Sequence, residues 1–223
     1  MRGRKQGRSF LLYGSEPPPL FGGMELAFDS MAPGDRYKVL ASLVTPRPVA
    51  WVTTIDREGR VNAAPFSFFN CFGSNPPILA FAPGDKEPGI PKDTARNIRQ
   101  SKEFVVNIAD QNIAEKMVET SATLPHGESE LDLAGLTSAP SSVVTPPRIA
   151  QAPVAFECRE WATLEIGSNR IVIGVVHHAH VQDGLLDPET LRLDHSRFAP
   201  VGRMSAPDWY CHTTDLYEMP RPD

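Results

Sequence analysis

Hydrophobic residues in this chain gather in short runs rich in β-branched and aromatic side chains, with turn formers between them. "PVAWVTTI" (residues 48–55) reads as a strand, "DREG" as a turn with Gly59 placed for positive φ, and "VNAAPFSFF" (61–69) as a second extended run. Proline cannot donate to a sheet ladder, so Pro48 is expected to open its strand and Pro65 to sit at an edge or bulge. "PPILAFAPG" (76–84) and "EFVVNIA" (103–109) give further strands, and "VAFECREWATLEI" and "RIVIGVVHHAHVQ", joined by "GSN", give a long hairpin. Helical spacing is confined to shorter pieces. Residues 37–43 predict a short helix or turn, and "KDTARNIRQSK" a helix capped by Asp93 or Thr94. In "NIAEKMVETSA", Asn112 and Glu115 have capping-box spacing while Ile113, Met117 and Val118 share a face. Residues 126–153 read as loop. Many strands on short turns with few helices predict a mainly β fold, a closed or partly closed antiparallel barrel with helical decoration.

Composition places few further limits. The chain has 223 residues, 41% hydrophobic and 22% charged, and folding at this length buries roughly 70% of the accessible surface, enough for a core without staples. Cys71, Cys158 and Cys211 form no C-x-x-C pair, so free thiols in a reducing cytoplasm are expected, without disulfides or zinc. Residues 1–23 carry four basic residues, one acidic residue and a proline run; they are read as a disordered extension ahead of a domain at 24–223, with Met24 a candidate start. Removing their net +3 from the chain's −5 leaves −8. That acidic balance argues against nucleic acid as a partner. No run has the ~18 apolar residues of a membrane helix, and no membrane association is expected.

Dinucleotide and triphosphate loops, zincin helices and the serine nucleophile elbow are missing as sequence motifs. In "HHAH", His178 and His180 share one strand face by two-residue periodicity. A third ligand at a recognisable spacing is not evident, so no metal is expected. Asp194 and His195, being adjacent, point apart in an extended chain and make a poor acid/base pair.

A phosphorylated planar cofactor matches what remains. Its phosphate needs hydroxyl, amide and cationic donors, and its ring needs an apolar slot. Arg47 offers a forked donor at the mouth of the first strand, Ser67 a hydroxyl among Phe66, Phe68 and Phe69, and Lys92 and Thr94 stand at the start of a helix. Each also has a plain structural alternative: a strand hydroxyl for Ser67, a surface charge for Arg47, a solvated lysine for Lys92, simple core for Trp51.

The segments "RPVAWVTTID..G..NAAPFSFFN", "PPILAFAPG", "KDTARNI..S.EFVVNI" and "PVGRMSAPDWYCHT" resemble, in order, the flavin reductase-like family of FMN-binding split barrels. The resemblance runs from about Tyr37 to Pro220. It implies an antiparallel split β-barrel with a few peripheral α-helices, a homodimer, and one FMN per subunit near the dimer interface. It implies that Arg47, Trp51, Ser67, Phe68, Phe69, Asn70, Lys92 and Thr94 line the FMN. Ser67, Lys92 and Thr94 would meet the phosphate and ribityl chain, and Trp51 and the aromatics near Phe69 the ring. His126 would reach the flavin from a loop above it. The implied activity is hydride transfer from NAD(P)H to FMN with no protein residue assigned as catalytic, since the flavin carries the reaction. Reduced FMN would then leave or pass electrons to an acceptor protein such as a monooxygenase. A non-catalytic FMN-binding or electron-transfer protein is the alternative.

Overall fold

A computed structural model describes residues 23–87, 89–124 and 128–222. The expected N-terminal extension, Gly23 apart, lies outside the described residues. Helix α1 (Pro33–Leu43) is followed by strands β1 (Ala50–Ile55), β2 (Val61–Phe66), β3 (Phe69–Ser74) and β4 (Pro77–Phe81). Short strands β5 (Asp85–Glu87) and β6 (Ile90–Pro91) precede α2 (Asp93–Ser101) and β7 (Glu103–Ile108). Helices α3 (Ala114–Glu119) and α4 (Glu130–Leu133) and short strands β8 (Ser138–Ala139) and β9 (Arg148–Ile149) lead to the hairpin β10 (Val154–Ile166) and β11 (Asn169–Val181). Strands β12 (Val201–Arg203) and β13 (Tyr210–His212) pair near the C-terminus. No helix among the described residues is long and apolar enough to cross a membrane.

The main sheet has seven antiparallel strands in the order β2-β1-β7-β10-β11-β4-β3. Its two end strands are consecutive in the chain, separated only by Ser67 and Phe68. One bent run from Val61 to Ser74 therefore pairs with β1 through its first half and with β4 through its second. This links the two ends of the sheet and gives the antiparallel split barrel that the sequence predicts.

Alternation along β1 distributes its side chains between two cores. Ala50 and Val52 join Phe66, Phe81, Ile98, Phe104 and Val172; Val49 and Trp51 join Ala63, Met117, Leu131, Ile149 and Val201. A strand covered on both faces reads as continuous apolar sequence, as "VAWV" does. Asn107 of β7 stitches the layers together: its amide donates to Trp51 O at 3.0 Å, and its carbonyl oxygen accepts from Ile149 N at 2.9 Å.

The β1–β2 turn has the expected positive-φ glycine, with Gly59 at φ 82°. Asp56 locks it by accepting from the amides of Glu58 and Arg60, both at 2.9 Å, and from Arg60 Nε at 2.7 Å. Burial raises the pKa of this carboxyl, but the hydrogen bonds from Arg60 and Glu58 outweigh it and bring the group from 3.8 to about 2. A carboxyl with a depressed folded pKa stabilises fully above its unfolded value and loses that contribution as pH falls through the folded one. Urea denaturation of the parent is therefore expected to weaken between about pH 4 and pH 2 more steeply than that of Asp56→Asn.

Four local expectations need correction. Residues 126–153, read as loop, hold helix α4 and the short strands β8 and β9, which pair with each other. Helix α1 begins at Pro33, ahead of the predicted residue 37, because proline suits a first helical turn. Lys92 is the N-cap of α2, with no side-chain cap. The Thr94 hydroxyl accepts from Asn62 Nδ2, and the Asp93 carboxylate pairs with Lys86 and Arg96. At α3 the capping box does not form: Ile113 is the N-cap, and Asn112 donates instead to Asp110.

Candidate functional site

The junction between β2 and β3 organises the site. Pro65, in the end strand β2, lies opposite Trp51, as its missing N–H requires. Ser67 and Phe68 then leave the ladder, and Phe68 O is held by Ala82 N at 2.9 Å. Two cavities flank the junction and share Ser67, Phe68, Ala82 and Asn169 in their walls. One, of about 410 Å³, is walled mainly by apolar groups, including Phe68, Phe69, Phe72, Phe81 and Ile171. The other, of about 390 Å³, adds Tyr37, Phe66 and Lys92. Each lies within the size range of small-molecule and cofactor sites.

Lys92 stands in the wall of the second cavity, which Asp85, paired with Arg170, also lines. The lysine is partly buried, and its Nζ lies 5.5 Å from the centre of the Phe66 ring. Among the described residues no carboxylate pairs with it. Burial, and secondarily the neighbouring Lys86, hold its pKa below the ordinary value. The cations on the far side of α2 differ, since Lys86 and Arg96 pair with Asp93 and Arg60 with Asp56 and Glu58. A desolvated ammonium facing a cavity beside a serine hydroxyl suits an anion, which would offset the charge in place of water.

The remaining expected residues divide by position. Phe68, Phe69 and Asn70 line the apolar cavity with Ser67. Arg47 also lines it but is only 6% exposed, so it is not the surface charge considered as an alternative. Its guanidinium donates to Val44 O at 2.7 Å and Met204 O at 2.8 Å, and also to Ala41 O. A longer contact of 3.4 Å reaches Ser67 Oγ, and the guanidinium carbon lies 5.8 Å from the Phe68 ring centre. Arg47 thus ties the end of α1 to the segment after β12 and touches the junction only through these longer contacts. Trp51 is fully buried, and its Nε1 donates to Thr120 Oγ1 at 2.8 Å, so the indole belongs to the core and not to the cavity walls. Thr94 is 1% exposed, with its hydroxyl turned to Asn62. His126 lies outside the described residues.

Sequence reasoning did not find Tyr37, Phe72 or Asn169. Asn169 opens β11 and reaches both cavities because β11 pairs with β4. No local pattern marks such a contact. Phe72 carried a weak signal as an aromatic two residues beyond Asn70, and it is 67% exposed on β3.

Residues 42–202 match the family model described as flavin reductase like domain. An uncharacterized protein of Deinococcus radiodurans is 41% identical over 191 residues, 83% of this chain and 84% of that protein. The crystal structure of nitrilotriacetate monooxygenase component B from Bacillus cereus superposes with a TM-score of 0.85 at 31% identity, covering 89% of this chain and all of that one. The 2-nitrobenzoate 2-nitroreductase NbaA of Pseudomonas fluorescens gives 0.80 at 34%, covering 89% and 96%. The chain belongs to the flavin reductase-like family.

Proposed function

We propose that this protein binds FMN at the Ser67–Phe68 junction and uses it to accept hydride from NADH or NADPH. The observation that carries the proposal is the Lys92 ammonium, unpaired among the described residues and partly desolvated, at the wall of a cavity adjoining a larger apolar one. Lys92 and Ser67 would hold the phosphate and the ribityl end. Phe68, Phe69 and Asn70 would border the ring. Arg47 and Thr94 would act behind this surface, fixing the junction and the start of α2. When bound, the flavin supplies the redox-active ring, and the chain's own groups bind it, orient it and exclude water from one face. No side chain is assigned a proton-transfer step.

The likeness to a monooxygenase component B and to a nitroreductase supports redox work with a flavin, and the former favours an oxygenase as recipient of the reduced flavin. A homodimer would cover the open side of the apolar cavity at Phe72. The decisive experiment is stopped-flow mixing of FMN-loaded protein with NADH and NADPH. Rapid bleaching of the flavin band by either donor is expected. Slow bleaching with both would leave an electron carrier, and protein that stays colourless on FMN titration would remove the flavin site itself.

Lys92→Ala gives a sharper test of the phosphate contact. A charge-assisted bond to phosphate contributes about 1.5–3 kcal/mol, so FMN affinity is expected to drop by about 10- to 150-fold. Riboflavin, which lacks the phosphate, is expected to bind variant and parent alike. Equal losses for both ligands in fluorescence titrations would place Lys92 elsewhere.

A further inference from the structure

The histidine pair of β11 has the third partner that its sequence spacing lacks. Glu157 of β10 is the direct cross-strand neighbour of His178, and His180 lies two residues further along β11. The ligand atoms of Glu157, His178 and His180 all lie within 4.8 Å of one another, and the two imidazole centres are 4.9 Å apart. A bulge sits at this point: Glu157 pairs with His178 but Cys158 with Val176, so His177 is the extra residue. Bulges of this kind re-aim neighbouring side chains.

We propose that Glu157, His178 and His180 bind one divalent transition-metal ion of the zinc type, a site separate from the flavin cavity. Two imidazoles and a carboxylate are a donor set for Zn²⁺, Ni²⁺ or Cu²⁺, and the nitrogen ligands disfavour Mg²⁺ and Ca²⁺. The carboxylate is preset. Glu157 is fully buried, with Oε1 accepting from Ser142 N at 2.6 Å and Oε2 from Val143 N at 2.6 Å and Val144 N at 3.2 Å. These amides hold the carboxylate in its orientation and prevent it from rotating away. His180 Nε2 lies 2.6 Å from Glu157 Oε1, the separation of two atoms sharing a proton. Ligands on one tetrahedral zinc stand about 3.3 Å apart, given bonds of about 2.0 Å. The ion therefore takes the place of that proton: the imidazole binds through Nε2 as its Nδ1–H tautomer, a neutral ring moving its proton to Nδ1 through solvent and an imidazolium releasing one, while the two atoms separate by about 0.7 Å and the amide bonds at Oε2 persist. His178, exposed beside them, supplies the third ligand. Its solvent side leaves the last position to water or an incoming ligand.

The site is remote from the flavin cavity, which is reached by Asn169 at the other end of β11. His178 lies seven positions along the strand from Ile171, the residue of β11 nearest to it in that cavity wall, roughly 23 Å at strand rise. Metal binding is thus testable without reference to flavin turnover.

Isothermal titration of Zn²⁺ into the full-length, chelator-stripped protein is expected to show one ion per chain, with and without FMN. His178→Gln and His180→Gln are each expected to weaken binding at least tenfold, and the double variant to abolish it while circular dichroism stays native. His178→Gln leaves every hydrogen bond of the buried Glu157 in place, and in His180→Gln the side-chain amide can donate to Glu157 Oε1 in place of the imidazole. With Cu²⁺, electron paramagnetic resonance is expected to show coupling to two imidazole nitrogens. Absence of stoichiometric Zn²⁺ binding, undiminished binding in the double variant, or a Cu²⁺ spectrum without two nitrogens would overturn the proposal.

Discussion

Arg47→Met is expected to lower the unfolding free energy by about 2–4 kcal/mol. The buried guanidinium serves carbonyls from two separate stretches of chain: Ala41 and Val44 at the end of α1, and Met204 after β12. Of the three contacts only that to Ala41 O is buried, those to Val44 O and Met204 O being part-buried; a buried carbonyl deprived of its donor costs about 1–3 kcal/mol and a part-buried one less, and methionine fills the volume without donating. The backbone adds a fixed contact, since Arg47 and Arg203 exchange both amide bonds at 2.8 and 2.9 Å, which the substitution leaves in place. Lysine at this position keeps the charge but not the planar fork, so Arg47→Lys is expected to recover only part of the loss. Urea denaturation checks the ranking. If, as proposed, Arg47 supports the junction and Lys92 meets the phosphate, FMN and riboflavin affinities are expected to fall together in Arg47→Met. That pattern separates Arg47 from Lys92. A stable Arg47→Met protein with selective loss of FMN binding would make Arg47 a phosphate ligand instead.

What the sequence revealed depended on how local each determinant is. The β10–β11 hairpin, the turn at Gly59 and the edge position of Pro65 follow from strand propensity, positive φ and a missing N–H, all readable within a few residues. The break at Ser67–Phe68 was not readable, because "VNAAPFSFF" carries no breaker there. What ends β2 is the change of pairing partner from β1 to β4, a property of the pairing across the whole sheet. The same limit applies to side-chain direction. Alternation says that Val52 and Trp51 face opposite ways, but with apolar cover on both sides of β1 it cannot say which faces the cavity. Lys92 was identified by type, and the absence of a carboxylate partner among the described residues, which gives it meaning, emerges only from the fold. Glu157 could not be joined to His178 and His180 from spacing at all, since the three meet across a strand pair.

Gly174→Ala is expected to cost about 2–3 kcal/mol, the upper part of the range for overpacking a tight core. A Cβ built on Gly174 would lie 2.3 Å from Phe104 Cζ, 2.9 Å from Cε1 and 3.3 Å from the Cβ of Cys158. Phe104 has little room to yield. It is fully buried and packs edge-on against Phe81 with ring centres 5.5 Å apart, and Phe81 packs at 5.3 Å against Phe66, the ring beneath Lys92. Phe81 also walls the apolar cavity. Displacement at Gly174 therefore passes through contiguous aromatic rings toward the surface proposed to hold the flavin. The prediction has two parts, read by denaturation and by flavin titration. Combining Gly174→Ala with Phe104→Leu, which trims the clashing ring, is expected to cost less than the sum of the single changes, as contacting residues do. Flavin affinity, reduced in Gly174→Ala, is expected to recover in the double variant. Additive stability losses would mean that the core relaxes around the added methyl by another route, and unchanged affinity would mean that the aromatic packing does not set the cavity's shape.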